Sequence, residues 1–543
     1  MACADDNLLY HSLHIPTLAV GIASYAITPA RTRRSARDVA TVPLGKVGYQ
    51  TTAEQGVAQQ IQKHTRDIIQ QINNPKIMKI KSFIITLILA SLSFGAIAQT
   101  AKDSKSEIIK KGYNFGPLPA VAFDADKGFQ LGALLNIYDF GDGSTYPNTR
   151  QQWYFEASFF TKGSQLYTIS YDNKFLIPGI RFSTTLTATN DKAMDFYGFN
   201  GYMSYYDHQK VNDGKKNDDM YLYSPKYRIN RVAVLFKTDF IGNIWDNKFF
   251  WEAGYHLSYF KQGAINREKI NKNKDENKMF PDSEPTLFEQ YRTWGIISDD
   301  EADGGLNSTV RLGLLYDTRD KEGAPSRGIW AESHLSLAPK WLGTENPYYK
   351  YSATFRHYVP IVDNDILTFA YRLNYQGTIG DKAPYYILPY ITTMGQSYDR
   401  DGMGGFRTVR GLMRNRVQGL DMATYNAEMR WRFVSFTLWK QNIAFGLNAF
   451  SDGTMVTKAY DMSFGRTAEE FASQTDYQKA KAEYDEYMAM GLDSDRPHIT
   501  VGAGLRFIMN QNFIVCFEYG KPVGKYSKQD GNGAFYINTG FLF

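Results

Sequence analysis

The sequence predicts an all-β protein, a 16-stranded antiparallel transmembrane β-barrel with an inward-folded sixth outer loop. Three observations predict it. Apolar and polar residues alternate with period two in segment after segment, so each segment reads as a strand with one greasy and one polar face. The connections between these segments are alternately tight and long, as in barrels that cross an outer membrane. Beyond residue 98 no apolar run approaches the ~20 residues that a membrane helix needs. A chain without such a helix can still span a bilayer if its strands satisfy one another's backbone groups in a closed sheet.

Composition narrows the function classes. The 543 residues are 15% aromatic, with 45 Gly and 19 Pro, and the net charge is only +5. Lys and Arg are dispersed instead of gathered into a stripe, so no nucleic-acid partner is expected. Cys3 and Cys516 stand far apart and suggest neither a disulfide framework nor a redox motif. His208, His256, His334, His357 and His498 show no His-x-x-x-His spacing, and no serine sits in a nucleophile motif. We expect no enzyme, no cofactor and no catalytic or metal residue.

The chain divides as follows. Residues 78 to 99 read "MKIKSFIITLILASLSFGAIAQ": Lys79 and Lys81 precede a short apolar run from Phe83 to Leu92, and Ala96-Ile97-Ala98 is a small-residue cleavage site. That is the pattern of a secretory signal peptide over 78–98. Residues 1–77 are then expected to be an upstream extension without function, preceding the true start at Met78. Residues 99–115 form a short periplasmic segment and 116–543 the barrel.

Along the barrel, Phe129, Leu131, Ala133, Leu135 and Ile137 alternate with Gln130, Gly132, Asn136 and Tyr138. Trp153, Phe155, Ala157 and Phe159 oppose Glu156 and Ser158. Val310, Leu312, Leu314 and Tyr316 oppose Arg311, Gly313 and Asp317, and Ile499, Val501, Ala503, Leu505 and Phe507 oppose Thr500, Gly502, Gly504 and Arg506. Glycine and charge on the second face suit a wet, crowded lumen and place the apolar face outside. A soluble β-sandwich would alternate too, but would turn its apolar faces inward. Strands are expected near 116, 129, 152, 166, 180, 223, 248, 307, 328, 348, 365, 424, 443, 497, 513 and 534. With both ends periplasmic, "LIPG", "NIWDN", "PIVDN" and "NQN" are inner turns, and the long outer loops are roughly 191–222, 262–306, 379–423 and 454–495.

Within the last long loop, Thr467 to Glu470 forms a capping box, Phe471 to Met490 has neither Gly nor Pro, and Gly491 is a C-terminal stop. A short surface helix is expected there, either over the barrel mouth or free of it. The acidic run "SDDEADG" (298 to 304) reads first as a solvated loop and second as a site for calcium or for cations bridging lipopolysaccharide phosphates. The terminal stretch "AFYINTGFLF" puts Phe535, Ile537, Thr539, Phe541 and Phe543 on one face. It is similar to the C-terminal sorting signal of outer-membrane barrels, with Phe541 and Phe543 as that signal.

The sixth outer loop contains "GGFRTVRGLMRNRVQG" (404 to 419), four arginines among glycines. Its "VRG" (Val409, Arg410, Gly411) resembles the arginine-glycine motif of the Omp85 superfamily of outer-membrane insertases and translocators, the BamA/TamA-like or surface antigen D15 type. "FYGFNG" (196 to 201), "YDTRDKEGAPSRG" (316 to 328), "AEMRWRF" (427 to 433) and "AFSDG" (449 to 453) follow the family order too. The resemblance implies that the loop folds back into the lumen and that Arg410 docks on the inner wall. Strand parity puts Asp452 and Glu428 on the polar face, so Arg410 is expected to pair with Asp452, with Glu428 the second candidate. Gly404 and Gly405, with Gly411, allow a tight fold. Between residue 99 and the first strand there is no room for the periplasmic POTRA domains of larger members.

The resemblance further implies residence in the outer membrane of a Gram-negative bacterium, in contact with lipid and lipopolysaccharide. It implies a function in inserting, assembling or translocating proteins, with client outer-membrane proteins or other assembly subunits as partners. The seam between first and last strands would serve, since an unpaired edge can receive an incoming strand. The alternative is a passive or gated solute pore, or a structural barrel that partners another outer-membrane assembly.

Overall fold

The computed structural model describes residues 108–543, except 125–127, 162, 213–221, 273, 277–278, 392–401, 512 and 540–541. The expected upstream extension 1–77, the expected signal peptide 78–98 and the start of the expected 99–115 segment lie outside the described residues, as does Phe541. The barrel falls within the unit Ala90–Phe543.

Sixteen strands form one antiparallel sheet in sequence order. They are β1 (Tyr113–Asp124), β2 (Gly128–Asp139), β3 (Gln151–Phe160), β4 (Gln165–Ile177), β5 (Ile180–Asp195), β6 (Arg228–Trp245), β7 (Phe249–Gly263) and β8 (Gly304–Asp317), followed by β9 (Gly328–Ala338), β10 (Tyr348–Val362), β11 (Leu367–Thr378), β12 (Asp421–Leu438), β13 (Gln441–Lys458), β14 (His498–Met509), β15 (Phe513–Val523) and β16 (Ala534–Thr539). Each expected strand is present, because period-two alternation is a local property that survives any tertiary context. The sixth starts at Arg228 because Ser224–Tyr227, with Pro225 in its first turn, coils as a 3-10 turn. Cα atoms of β1 and β16 come within 8 Å of one another, so the sheet curls back on itself.

The faces are arranged inside out relative to a soluble protein. Leu131, Leu312, Leu314, Val501 and Leu505 are all exposed, whereas Glu156, Asp239, Glu252, Arg311 and Glu332 on alternate positions are buried. No soluble sandwich has this pattern; an apolar solvent outside and a polar lumen produce it. Trp245 and Trp439 at the short-turn end and Trp341 at the long-loop end are 75%, 87% and 83% exposed, where amphipathic rings sit at the two interfaces of a bilayer.

Tight turns carry paired left-handed residues: Asp246 and Asn247, Asn364 and Asp365, Trp439 and Lys440, Asn510 and Gln511 all have φ between 49° and 62°. Such pairs match the right-handed twist of the flanking strands. At the other end the long loops pack into a dome over the mouth. Phe199, Tyr291, Trp294, Tyr385 and Leu420 belong to its buried core.

Two helices enter that dome, α1 (Leu287–Thr293) and α2 (Gln474–Met490). The Thr467–Glu470 capping box exists, but it closes a 3-10 turn over Ala468–Glu470. Ser473 instead caps α2, accepting from the Asp476 amide, so the helix begins later than expected. It buries Ala480 and Tyr487, and the Tyr487 hydroxyl lies 3.0 Å from that of Tyr291. α2 therefore covers the mouth.

One expectation fails at the chain's end. Phe535 and Ile537 face outward, 56% and 42% exposed, but Phe543 is only 6% exposed. It packs on Tyr358 and Ala370 inside the barrel. Period-two parity holds only while the strand continues, and β16 ends at Thr539.

Candidate functional site: the loop docked in the lumen

The segment 402–420 folds on itself before it meets the wall. Met403 bridges Val417, and Gly405 bridges Val409. The Gly404 amide donates to Thr408 Oγ1 at 2.8 Å and the Gly405 amide to the Leu412 carbonyl at 2.9 Å. Gly404 has φ 124°, and a Cβ there would stand 1.9 Å from the Met413 oxygen, so only glycine fits. Val409 packs with Met403, Leu412, Val417, Met422 and Val456. This apolar patch fastens the loop to β12 and β13.

Arg410 is wholly buried. Its Nε and Nη2 donate to Asp452 Oδ2 and Oδ1 at 2.8 and 3.0 Å, and Nη1 donates to Glu428 Oε2 and Glu518 Oε1, both at 2.9 Å. Its own amide donates to Asp452 Oδ2 at 3.0 Å. The guanidinium carbon lies 3.7 Å from the centre of the Phe450 ring. Bidentate and charge-assisted bonds of this kind suit a buried guanidinium.

Glycines on β14 shape the wall. A Cβ on Gly502 would fall 2.3 Å from the Phe450 ring, and one on Gly504 2.6 Å from Glu518 Cγ. The missing side chains let Phe450 lie flat under Arg410 and let Glu518 lean across β14. Arg506 Nη2 then donates to Glu428 at 2.9 Å and Glu518 at 3.2 Å, and Arg430 pairs with Glu428. Three guanidiniums thus face three carboxylates, which offsets the large cost of burying each charge alone. Arg430 Nη2 also donates to the Phe543 carbonyl at 2.9 Å, so the inward-turned end of the chain joins the same network.

Gly411 brings the loop against β15. Its φ is 93°, its amide donates to Tyr536 Oη at 2.9 Å, and a Cβ on it would stand 2.4 Å from the Gly520 carbonyl carbon. Arg416 is a second buried anchor, donating from Nη1 to the Gly201 carbonyl at 3.0 Å and from Nε to the Gln529 carbonyl at 3.2 Å. Tyr202 donates to Asp530 at 2.5 Å and stacks on His498 with centroids 3.8 Å apart. Burial, then the Asp530 charge, pushes the Tyr202 phenol well above its ordinary value. Asn200 in "FYGFNG" ties the outer loops: its amide donates to the Gln418 carbonyl at 2.6 Å, and its side chain makes two bonds with the Tyr460 backbone.

The short-turn end carries contacts of its own. In the connection 318–327, Glu322 pairs with Lys174 at 2.5 Å, Lys321 pairs with Asp365, and Pro325 accepts from Arg430 Nη1 at 3.5 Å. The backbone of Ile108 makes two bonds with the Asn442 side chain, drawing the segment before β1 to the same end. Asp299 in the acidic run accepts twice from Arg466 at 2.8 Å, and Glu301 accepts from the Tyr385 amide and the Tyr460 hydroxyl. Those oxygens are spent on the dome.

Arg410, Asp452 and Glu428 therefore meet: the family resemblance implied the docked loop, and strand parity the inward-facing carboxylates. Glu518, Arg506, Arg416 and the inward position of Phe543 were missed. Parity already put Arg506 on the polar face, and the same counting from buried Cys516 would have put Glu518 there. No local signal marks Arg416, whose partners lie on two other loops, the β5–β6 loop with Gly201 and the β15–β16 loop with Gln529 and Asp530.

The Omp85 superfamily domain matches residues 148–543. Among solved structures, this chain is similar to BamA from Haemophilus ducreyi lacking POTRA domains 1-3, at 14% identity and a TM-score of 0.44, over 79% of this chain and 69% of that one. It is also similar to CdiB from Escherichia coli, at 10% identity and 0.44, over 80% of this chain and 63% of that one. For CdiB from Acinetobacter baumannii the values are 11% and 0.38, over 79% and 66%. This chain thus spans about two thirds of the length of each. No curated protein sequence matches it significantly.

Proposed function

Because this chain belongs to the Omp85 superfamily of outer-membrane barrels, we propose that it assists insertion, assembly or translocation of proteins at the bacterial outer membrane through its terminal seam. The signal over 78–98 would export it, and residues 1–77 would take no part. The outward apolar face would meet lipid and lipopolysaccharide, and the clients or assembly subunits would be other outer-membrane proteins.

The observation that carries this reading is the asymmetry of the sheet's ends. β16 has 6 residues, whereas β12 and β13 have 18 each. β1 pairs with β2 through Pro117 and Pro119 without a break. A proline in a sheet turns its missing donor away from the ladder it belongs to, so these two residues leave gaps toward β16. A short strand facing a donor-poor strand is the least costly place for an edge to open to an incoming strand. The docked loop, anchored through Arg410 to Glu428 on β12, Asp452 on β13 and Glu518 on β15, would hold the wall beside the seam rigid while that seam yields.

Disulfide locking tests this. Cysteines replace outward-facing Phe115 on β1 and, in turn, Phe535 and Ile537 on β16, in a chain whose Cys516 is changed to Ser. A control pair at Ala427 and Ser451 joins register partners within the barrel wall. We expect the locked seam to stall assembly of other outer-membrane proteins while the locked control does not. If oxidation locks the seam and no other protein is affected, the reading fails, and a pore or structural partner takes its place.

A further inference from the structure

Away from the docked loop, the lumen holds a second cluster with a different chemistry. Glu252 on β7 pairs with Gly313 on β8, which pairs with His334 on β9, so the two side chains face each other across a strand that carries no Cβ between them. A Cβ on Gly313 would stand 2.8 Å from His334 Cβ and 3.0 Å from Glu252 Oε2. The glycine is what leaves the hollow open. Glu332, two residues before His334, points to the same face.

One donor atom from each of Glu252, Glu332 and His334 lies within 4.8 Å of the others, and the three residues are 2%, 5% and 3% exposed. Neither carboxylate oxygen of Glu252 has a hydrogen-bond partner among the described residues, nor does His334 Nε2. His334 Nδ1 lies 3.2 Å from Glu332 Oε1. The other oxygen, Glu332 Oε2, accepts from Trp330 Nε1 at 3.1 Å, the kind of outer bond that orients a metal-binding carboxylate. Arg410's carboxylates are consumed by three guanidiniums, whereas Glu252 converges on its neighbours with both oxygens unspent.

The geometry points to a divalent transition-metal site at Glu252, Glu332 and His334, built on three rigid strands near the short-turn end of the lumen. Two carboxylates so close and so buried repel, and either a proton on one of them or a cation between them relieves it; the unspent donor atoms around the hollow favour the cation. One imidazole nitrogen with two carboxylate oxygens favours an ion of the manganese-to-zinc series over calcium or magnesium, which prefer oxygen alone. Three protein donors leave a coordination position for water, as in open zinc sites. The bound ion would pin β7, β8 and β9 together beside the connection 318–327. This inference does not depend on the proposed function.

The test uses the full chain, purified in detergent without a histidine tag and stripped with a chelator. It is then loaded with Zn2+ alone, or with Mn2+ alone, and desalted. We expect the wild type to retain one ion per chain more than the double variant Glu252→Gln/His334→Gln; the difference cancels any binding by His11, His14 and His64. Each single variant should weaken affinity by at least about tenfold, the lower bound known even for outer-shell partners. Gly313→Ala, which keeps all three donors but fills the hollow, should lose the ion as well. Folding of each variant is read from heat-modifiable migration in gels, and Glu252→Gln is nearly isosteric with the wild-type side chain. Equal retention of both metals by wild type and Glu252→Gln would overturn the site and leave Glu252 a neutral buried acid.

Discussion

Gly411 on the sixth outer loop and Gly520 on β15 meet backbone to backbone, so that a Cβ on the first would stand 2.4 Å from the carbonyl carbon of the second. That approach brings Arg410 deep enough to reach Asp452, Glu428 and Glu518 at once. The motif is therefore one device in two parts: the glycine sets the depth, and the arginine makes the bonds.

Gly411→Ala should release the loop, whereas Gly405→Ala should not. Both positions have left-handed backbone, φ 93° and 85°, and share a strain of roughly 1–2 kcal/mol. A Cβ on Gly405 meets nothing nearer than 3.7 Å, while on Gly411 it meets backbone. Limited proteolysis within 402–420 would separate them, and equal cleavage of the two variants would contradict the role of the close approach.

Arg410→Ala leaves Asp452, Glu428 and Glu518 buried with one guanidinium fewer, at a cost of about 3–5 kcal/mol. Arg410→Lys keeps the charge but loses the fork that grips Asp452, and should recover only part of it. Urea unfolding of the detergent-solubilised barrel measures both. A lysine variant as stable as wild type would mean that charge alone holds the loop.

Phe543→Ala should cost about 3–5 kcal/mol, the range for emptying a buried phenylalanine site, because the ring lies in a box of Tyr358, Arg372 and Arg430. Phe535→Ala, on the exposed face, should cost much less. The fraction of folded barrel after refolding distinguishes them; equal effects would place both rings on the lipid side.

Glu301 makes the dome sensitive to pH. Burial, only partly offset by its bonds from Tyr385 and Tyr460, holds its carboxyl above the ordinary value. The folded chain therefore binds this proton more tightly than the unfolded chain. Stability from this group is full below the unfolded value of about 4.3 and is lost as pH rises through the folded value. Melting midpoints across that window should fall more steeply for wild type than for Glu301→Gln. Parallel slopes would dismiss the group as a contributor.

Much of the architecture was legible in the residues. Sixteen strands, the tight turns and the long loops all follow from alternation and turn chemistry, which act over a few residues. Parity on β12 and β13 was enough to face Glu428 and Asp452 toward the lumen, where Arg410 finds them. The helix α2 was visible too, but its start was misplaced because a capping box is satisfied equally well by a 3-10 turn.

By itself, then, the sequence determined which face of each strand is polar, because side chains alternate on a strand whatever surrounds it. Only the tertiary structure decided which polar residues become partners. Glu518 reaches Arg410 from 108 residues away because β14 offers a glycine to lean over, and Glu252 faces His334 only because Gly313 stands between them. Phe543 turns inward because, past the last rung of β16, no ladder holds its parity. Curling sixteen strands around one lumen creates these neighbours, and separation along the chain carries no trace of it.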